Sequence, residues 1–327
     1  MPASRLPTLR RVGAIVLSAA FAGVLGACST PGPVTHPVDL SQCPPPPVAA
    51  SAAASAVVAL PVPKPTRPPR IALALGGGAA RGFAHIGVIE VLEENGIHPD
   101  IVTGTSAGSL VAAMYASGKS GVEMARLADT MDESAITDWS FPGRGLIRGE
   151  ALARYIRDVT GGKTIEQLKI PLGIVATDLD NGHSILFRRG DLGTAVRASS
   201  AVPAVFQPVK IGTHEYVDGG LSSPVPVRSA REMGADVIIA VDISQLPDGG
   251  PTGDALHMLL QTFSIMSRSI NELELKDAEV VLRPKLTGVA GTDFSLRAKN
   301  IQAGREATLA LLPMIKAKVA TQVPVLR

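Results

Sequence analysis

Short, continuously apolar runs alternate along most of the chain with segments of helical spacing. Residues 71–75 form an apolar run that ends in three glycines, and residues 101–103 form a second one. Between them, residues 82–95 carry apolar side chains at helical spacing, followed by Gly96, a residue type that commonly ends helices. Strands that are continuously apolar, rather than alternating, indicate a parallel sheet covered on both faces.

The same alternation continues to the end of the chain. We predict further strands at 172–177, 184–187, 215–217, 237–242 and 279–282, and further helices at 109–117, 150–159, 225–233, 254–276 and 299–318. This order predicts an α/β protein with a mostly parallel sheet between helices. We find no internal repeat, so residues 70–327 are expected to form one domain.

The first 27 residues have the organisation of a secretory signal peptide. Three arginines precede an apolar stretch at 12–24, followed by Leu25-Gly26-Ala27-Cys28. This tetrapeptide resembles a bacterial lipobox, in which cleavage before the cysteine accompanies transfer of a diacylglycerol group to its thiol. We therefore predict a lipoprotein modified at Cys28. An ordinary cleaved signal peptide and an uncleaved anchor helix are the alternatives.

Residues 28–69 are rich in proline and alanine and lack periodicity, which predicts an extended tether between the anchor and the domain. Ser29 stands where the common inner-membrane retention signal has aspartate. By resemblance to bacterial lipoproteins, this favours the outer membrane, facing the periplasm. Cys43 is then a free thiol or an intermolecular crosslinker, and a free thiol is the simpler interpretation.

Composition excludes several classes of function. The formal charge is +2 and aromatic residues make up 3%, and no basic run occurs in the body of the chain, so a nucleic-acid partner is not expected. Mean hydropathy is positive, yet no uninterrupted apolar stretch reaches the roughly 20 residues of a spanning helix. No cysteine follows Cys43, which excludes a disulfide framework or a thiolate metal site in the folded body.

The first chemical motif is Gly104-Thr105-Ser106-Ala107-Gly108, between a predicted strand and a predicted helix. A serine on such a turn exposes its hydroxyl above the sheet, and the flanking glycines permit the sharp turn and a close helix. The helix N-terminus also favours negative charge near the serine. The five-residue pattern is common in small-residue loops, so its strand–turn–helix context carries the prediction that Ser106 is a nucleophile.

The second motif, Gly76-Gly77-Gly78-Ala79-Ala80-Arg81-Gly82, also joins a strand to a helix. Consecutive glycines can turn several N–H groups toward one anion, either a cofactor pyrophosphate or the oxyanion of a tetrahedral intermediate. The dinucleotide pattern GxGxxG is broken and no GK[ST] is present, which favours the oxyanion hole over a cofactor. A structural tight turn is the alternative. Three roles are open for Arg81: it orients the loop, binds a lipid phosphate or forms an ordinary ion pair.

The third motif is Asp218-Gly219-Gly220, directly after the predicted strand at 215–217. Asp-Gly alone is a turn signal, but at the end of a strand it can place a carboxylate beside the serine. Asp178 and Asp242 are rival acids at other strand ends, and neither is followed by two glycines.

A Ser-His-Asp triad lacks its histidine. Only His257 follows Asp218 in the chain, and it lies in a predicted helix, while His85 is interpreted as a packing or surface residue. A serine hydroxyl still needs a neighbour that takes its proton. Asp218 fills that role if it forms a hydrogen bond with Ser106 directly.

Together, the three motifs resemble the patatin-like phospholipases, here in a bacterial, lipoprotein-type form. Residues 176–179 and 198–208 look like further family segments, so the resemblance runs from about 70 to 242, and residues 243–327 match only loosely. It implies a three-layer patatin-like fold and a Ser106–Asp218 dyad. It also implies an oxyanion hole and supporting motif residues, namely Gly76, Gly77 and Gly78, and Arg81, Gly82, Gly104, Gly108, Gly219 and Gly220.

The implied activity is hydrolysis of the carboxylic (acyl) ester of a lipid, namely a phospholipid or a lysophospholipid, with simple esters and thioesters also open. No cofactor or metal is expected. A catalytically silent, membrane-tethered binding or structural protein is the alternative, and a nucleotide-binding oxidoreductase is disfavoured by the broken glycine pattern. Residues 140–149 are interpreted as a lid over the acyl site or as an ordinary loop.

Overall fold

A central sheet organises the protein, for which a computed structural model describes residues 66–132, 136–138, 144–244, 253–286, 294–321 and 323–324. The strands are β1 (Thr66–Arg67), β2 (Ile71–Leu75), β3 (Ile101–Thr105), β4 (Gly145–Ile147), β5 (Leu172–Asp178), β6 (Ser184–Phe187), β7 (Ala204–Phe206), β8 (Val209–Ile211), β9 (His214–Asp218), β10 (Val237–Val241), β11 (Val280–Leu282) and β12 (Val323–Pro324). The helices are α1 (Phe83–Glu94), α2 (Ala107–Ala116), α3 (Gly121–Thr130), α4 (Glu150–Thr160), α5 (Leu192–Ser199), α6 (Val227–Glu232), α7 (Ala255–Glu274) and α8 (Arg297–Val319).

Five parallel strands form the larger part of this sheet, in the order β11-β10-β2-β3-β5. Antiparallel strands β6, β9 and β8 complete it beside β5. Residues of β2 alternate between two separate apolar clusters. Leu73 and Leu75 pack with α1 and α2, whereas Ala72 and Ala74 pack with α6. This three-layer arrangement confirms the predicted fold class.

Two strands meet end to end along one edge of β5. β6 pairs with residues 174–177 of β5, so it occupies one edge. β3 pairs with residues 172–175 and β9 with residues 176–178, and both sets overlap the partners of β6. Because a strand has only two edges, β3 and β9 share the other one. They run toward each other, and the end of β3 therefore faces the end of β9.

Every predicted strand and helix is present, but the helices α3 and α5 and the short strands β1, β4, β7, β8 and β12 were missed. Both helices begin at capping residues that the sequence displays. Ser120 and Glu123 form a reciprocal capping box at α3, and the Asp191 side chain accepts a hydrogen bond from Thr194 N–H at α5. These start signals mark a helix even where, as here, the apolar stripe is short.

The described body begins slightly before residue 70, because β1 pairs with β12. Residues 1–65, including Cys28, Cys43 and most of the predicted tether, lie outside the described residues. The same holds for residues 140–143 of the segment interpreted as a lid, whereas its later part forms β4, which pairs with β7. Within the described ranges, no helix combines the length and the apolarity needed to cross a membrane.

Candidate active site

Ser106 occupies a strained turn between β3 and α2. Its backbone angles are φ 53° and ψ −126°, which few residues other than glycine adopt without cost. A Cβ on Gly104 would lie 2.6 Å from Gly108 O, and a Cβ on Gly108 would lie 2.1 Å from Leu75 O. The two glycines therefore let α2 cross directly over the strand ends. This is the geometry of a nucleophile elbow.

Ser199 fixes this turn from the neighbouring helix. Ser106 N–H donates to Ser199 Oγ at 2.9 Å, and the Ser199 hydroxyl donates to Val175 O at 2.6 Å. Ser199 is fully buried. The chain of two hydrogen bonds ties Ser106 to β5, which borders both β3 and β9.

Asp218 ends β9 and lies beside this turn, with 1% of its surface exposed. Its backbone N–H donates to Ala201 O at 2.9 Å, and its carbonyl accepts a hydrogen bond from Thr177 Oγ1 at 2.9 Å. Its Oδ1 accepts a hydrogen bond from Gly220 N–H at 2.7 Å. Two of these hydrogen bonds thus fix the backbone of Asp218, and the third fixes its carboxyl group.

Burial raises the pKa of Asp218 to about 6, and interactions with the Ser106 hydroxyl and with Gly220 N–H oppose this rise. The carboxyl is close enough to Ser106 to be influenced by it. However, no hydrogen bond of good geometry reaches Oδ2 from the described residues. Catalytic hydrogen bonds are often long or misaligned before substrate binds and tighten afterwards. Because its pKa of about 6 lies below neutral pH, the Asp218 carboxyl is mostly ionised there and can accept a proton.

The two glycines after Asp218 are required by close approaches. A Cβ on Gly219 would lie 2.3 Å from Val175 O and 3.0 Å from Thr105 Cγ2. A Cβ on Gly220 would lie 3.0 Å from Asp218 Oδ1 and 2.9 Å from the ring of Phe263. Any larger side chain at either position would push the carboxylate or the serine turn away from its partner.

The glycine loop faces Ser106, but two of its three predicted oxyanion donors already have other hydrogen-bond partners. A Cβ on Gly77 would lie 3.1 Å from Ser106 Cβ, so Gly77 is directly opposite the serine. Gly76 N–H donates to Val241 O at 3.0 Å, and Gly77 N–H donates to Pro224 O at 2.9 Å. These two N–H groups are therefore not available to an oxyanion in this arrangement. Gly78 N–H, by contrast, has no hydrogen-bond partner among the described residues.

Two buried side chains hold the glycine loop in place. Arg81 is buried, and its Nε donates to Ile243 O at 2.9 Å, which joins the glycine loop to the segment after β10. Burial lowers the pKa of His85 to about 4, partly offset by its hydrogen bond with Gly76 O. The ring is therefore neutral, and its Nε2–H donates to Gly76 O at 2.8 Å. Gly82 packs against Ala107, since a Cβ there would lie 2.9 Å from the Ala107 Cβ.

The rival acids have other partners. Asp242 accepts hydrogen bonds from Ser244 and pairs with Arg283 at 3.3 Å. Asp178 Oδ2 lies 3.0 Å from His214 Nδ1. Asp178, Asp180 and His214 are the one His/Cys/Asp/Glu group of metal-binding geometry in the described ranges, and neither Ser106 nor Asp218 belongs to it.

An apolar cavity of about 180 Å³ opens next to Ser106. Its lining residues come from α1, α2, α3, α4 and the segment after α5, and they include Leu110, Met114, Met124, Leu127, Leu152 and Phe206. A larger open groove is lined by charged residues such as Arg231 and Glu279 and contains no residue of the serine site. The apolar cavity is therefore the relevant one, and its lining suits a hydrocarbon chain.

A family model described as patatin-like phospholipase matches residues 73–231, a range that contains the glycine loop, the serine turn and Asp218. Residues 73–231 belong to the patatin-like phospholipase family. An uncharacterized NTE family protein of Mycobacterium tuberculosis is 40% identical to this chain over 190 residues, which cover 57% of the chain and 52% of the relative. The chain thus spans about half the length of that relative.

Other relatives of the patatin-like domain extend this picture. The human patatin-like phospholipase domain-containing protein 6 is 37% identical over 182 residues, covering 53% of this chain and 13% of that protein. The crystal structure of VipD from Legionella pneumophila has a TM-score of 0.52 at 16% identity, covering 76% of this chain and 67% of that chain. The latter similarity shows the fold.

Sequence reasoning missed three residues that support this patatin-like site. Ser199 lies in a segment that resembled the family, but nothing in the sequence assigned it a contact with Ser106. His85 was interpreted as packing or surface, and it is fully buried against Gly76 O. Glu274 is buried in α7 and accepts a hydrogen bond from the Ser223 hydroxyl at 2.8 Å. The sequence offered a signal for only one of the three residues: His85 lies in the first helical turn after the glycine motif, within reach of that loop.

Proposed function

We propose that this protein is a serine hydrolase that cleaves carboxylic (acyl) esters of lipids through a Ser106–Asp218 dyad. One observation carries the proposal. The strained Ser106 turn, the buried Asp218 carboxyl and the apolar cavity meet at one point of the sheet. Family membership supports the same activity.

In the proposed mechanism, Ser106 Oγ attacks the acyl carbonyl carbon while Asp218 takes the hydroxyl proton. The carbonyl oxygen becomes an oxyanion, and Gly78 is the one of the three consecutive glycines whose N–H has no partner among the described residues and can stabilise it. Collapse of the intermediate breaks the ester bond, and the leaving alcohol receives the proton from Asp218. A water molecule, deprotonated by Asp218, then attacks the acyl-enzyme. Asp218 returns the proton to Ser106 Oγ as the bond to the acyl group breaks and the fatty acid leaves.

We infer a substrate with a long acyl chain, namely a phospholipid or a lysophospholipid. The cavity beside Ser106 is lined by leucine, methionine and aromatic side chains, which gain free energy by contact with hydrocarbon. The name of the human relative, a patatin-like phospholipase domain-containing protein, points to the same substrate class.

Labelling with a fluorophosphonate probe tests the dyad, because only an activated serine reacts with it. We expect the purified full-length chain to be labelled and Ser106→Ala not to be labelled. Ser106→Ala should also lower turnover of lysophospholipid by about a thousandfold or more. Labelling of neither protein would support the alternative of a catalytically silent, membrane-tethered binding or structural protein. Incubation with mixed bacterial lipids, followed by mass spectrometry, identifies the ester.

We further propose that residues 1–27 are a signal peptide, that Cys28 carries the lipid anchor, and that residues 28–69 tether residues 70–327 to the outer membrane on its periplasmic side. The lipobox-like sequence and the proline-rich composition support this proposal. Metabolic labelling with a fatty-acid probe should modify the wild-type chain but not Cys28→Ser. Membrane fractionation then separates inner from outer location, and retention in the inner membrane would contradict the second part.

A further inference from the structure

The first three turns of α7 are both apolar and exposed. From residue 255 to residue 266 no side chain is buried, and Ser267 is the first buried residue of the helix. Met258 is 57% exposed, Leu259 44%, Ile265 50% and Met266 49%. A folded domain rarely exposes so many large apolar side chains on neighbouring turns unless they contact a partner or a membrane.

These side chains form a continuous stripe. Met258 and Ile265 are seven positions apart, as are Leu259 and Met266, and a spacing of seven returns to the same face of a helix. Leu273, which is 59% exposed, follows Met266 at the same spacing. At a rise of 1.5 Å per residue, the stripe from Met258 to Leu273 is about 22 Å long.

The opposite side of α7 touches the catalytic loop. Ser267 Oγ donates to Gly220 O at 3.1 Å, and the Phe263 ring packs on Gly220. The next contact inward is the hydrogen bond from Gly220 N–H to Asp218 Oδ1. The exposed stripe therefore lies on the outer face of a helix whose inner face contacts the catalytic loop, and one helix and one glycine separate the stripe from Asp218.

We propose that the exposed stripe of α7 docks on the surface of a lipid bilayer and presents the Ser106 site to its substrate. The inference rests on the proposed function, which requires the site to receive lipid. Contact between α7 and the catalytic loop places the docking surface within one helix width of that loop. Arg268 and Glu272 of this helix form an ion pair, as do His257 and the N-cap residue Asp254, so the exposed apolar side chains must supply the binding energy. Helices of this kind lie in the interfacial plane with their apolar face in the acyl region.

The test compares two double variants that each add two carboxylates at equally exposed apolar positions. Met258→Glu with Ile265→Glu alters the stripe, and Val122→Glu with Leu309→Glu is the matched control on other helices, at exposures of 50% and 49%. All full-length proteins carry Cys28→Ser, so that no lipid anchor contributes. Phosphatidylcholine vesicles, which have no net charge, are used for co-sedimentation and for lipid hydrolysis.

We expect the stripe variant to lose about tenfold or more in vesicle binding and in vesicle hydrolysis, because burying two carboxylates in the acyl region is costly. Its hydrolysis of a water-soluble short-chain ester should stay at the wild-type rate, and the control variant should behave as wild type in all assays. Unchanged vesicle binding in the stripe variant would overturn the proposal. So would a wild-type dimer that the same variant converts to a monomer while vesicle hydrolysis persists.

Co-sedimentation does not depend on turnover. If the chain with an unaltered stripe binds vesicles but has no esterase activity, and the stripe variant loses that binding, the result counts against the proposed function and not against the docking surface.

Discussion

Thr105 and Asp218 pair with consecutive residues of the same strand, β5, although they lie far apart in the chain. Thr105 pairs with Val175 and Asp218 pairs with Ala176. Since β3 and β9 approach each other along one edge of β5, the residue after Thr105 and the last residue of β9 must be neighbours. The proximity of Ser106 and Asp218 is thus a consequence of strand register.

The acid limb of the pH profile should follow Asp218. Its pKa is raised to about 6 by burial, and a general base acts only in its ionised form. We expect kcat/KM for a soluble ester to rise with pH through about 6 and to level off above it. An acid limb centred near 4, the ordinary value for aspartate, would contradict the burial of this base.

Asp218→Asn should lose activity. Its free energy of unfolding, compared with that of wild type, should increase as pH rises. The pKa of Asp218 is 3.8 in an unperturbed chain and about 6 in the fold, so the folded state holds its proton more tightly. The stability that comes from the protonated carboxyl is present below pH 3.8 and is lost as pH rises through 6. Compared with wild type, the unfolding free energy of Asp218→Asn should improve by on the order of 2–3 kcal/mol between pH 4 and pH 7. Urea titrations at both pH values measure it.

Ser199→Ala should lower kcat by about tenfold or more, because Ser106 N–H and Val175 O each lose their partner. KM should change little, since Ser199 is not a lining residue of the cavity. Thr160→Val is the control, because it also removes a buried hydroxyl that bonds a backbone carbonyl, Ile156 O. If both variants lose kcat equally, the effect is general destabilisation and not positioning.

Gly77→Val should reduce activity nearly as much as Ser106→Ala. A Cβ at Gly77 already lies 3.1 Å from Ser106 Cβ, so a branched side chain displaces either the glycine loop or the nucleophile. Gly253→Val serves as the control, because a Cβ at Gly253 has no heavy atom within 4 Å. Esterase turnover and thermal unfolding of both variants check this, and a fully active Gly77→Val would refute the placement of the loop.

Leu110→Trp should shift the chain-length preference toward short acyl groups. Leu110 lines the cavity beside Ser106, and a larger ring there removes space from a long chain. We expect kcat/KM for a long-chain ester to fall by about tenfold or more while a butyrate ester is still cleaved. Leu309→Trp, on the exposed side of α8, should leave the ratio unchanged. An unaltered ratio in Leu110→Trp would show that the acyl chain binds elsewhere.

The sequence by itself identified the elements that local chemistry determines. Continuous apolar runs such as Ile71–Leu75 are buried strands, as expected of residues covered on both faces of a sheet. Ser106 was predicted to lie on a sharp turn because Gly104 and Gly108 flank it. At both positions a Cβ would collide with backbone atoms, so only glycine lets the helix pack this closely over the strand. The order of the three motifs was enough to predict the family, and the family model confirms it.

Only the tertiary structure decided which polar groups meet. A sequence shows that Gly76 and Gly77 have N–H groups to offer, but not that Val241 O and Pro224 O accept their hydrogen bonds. These acceptors belong to segments more than a hundred residues away, and their positions follow from sheet register. Register likewise brought Asp218 to Ser106 and excluded Asp242. It also set α7 against the catalytic loop with its apolar stripe outward, since packing, and not spacing along the chain, determines which face of a helix is buried.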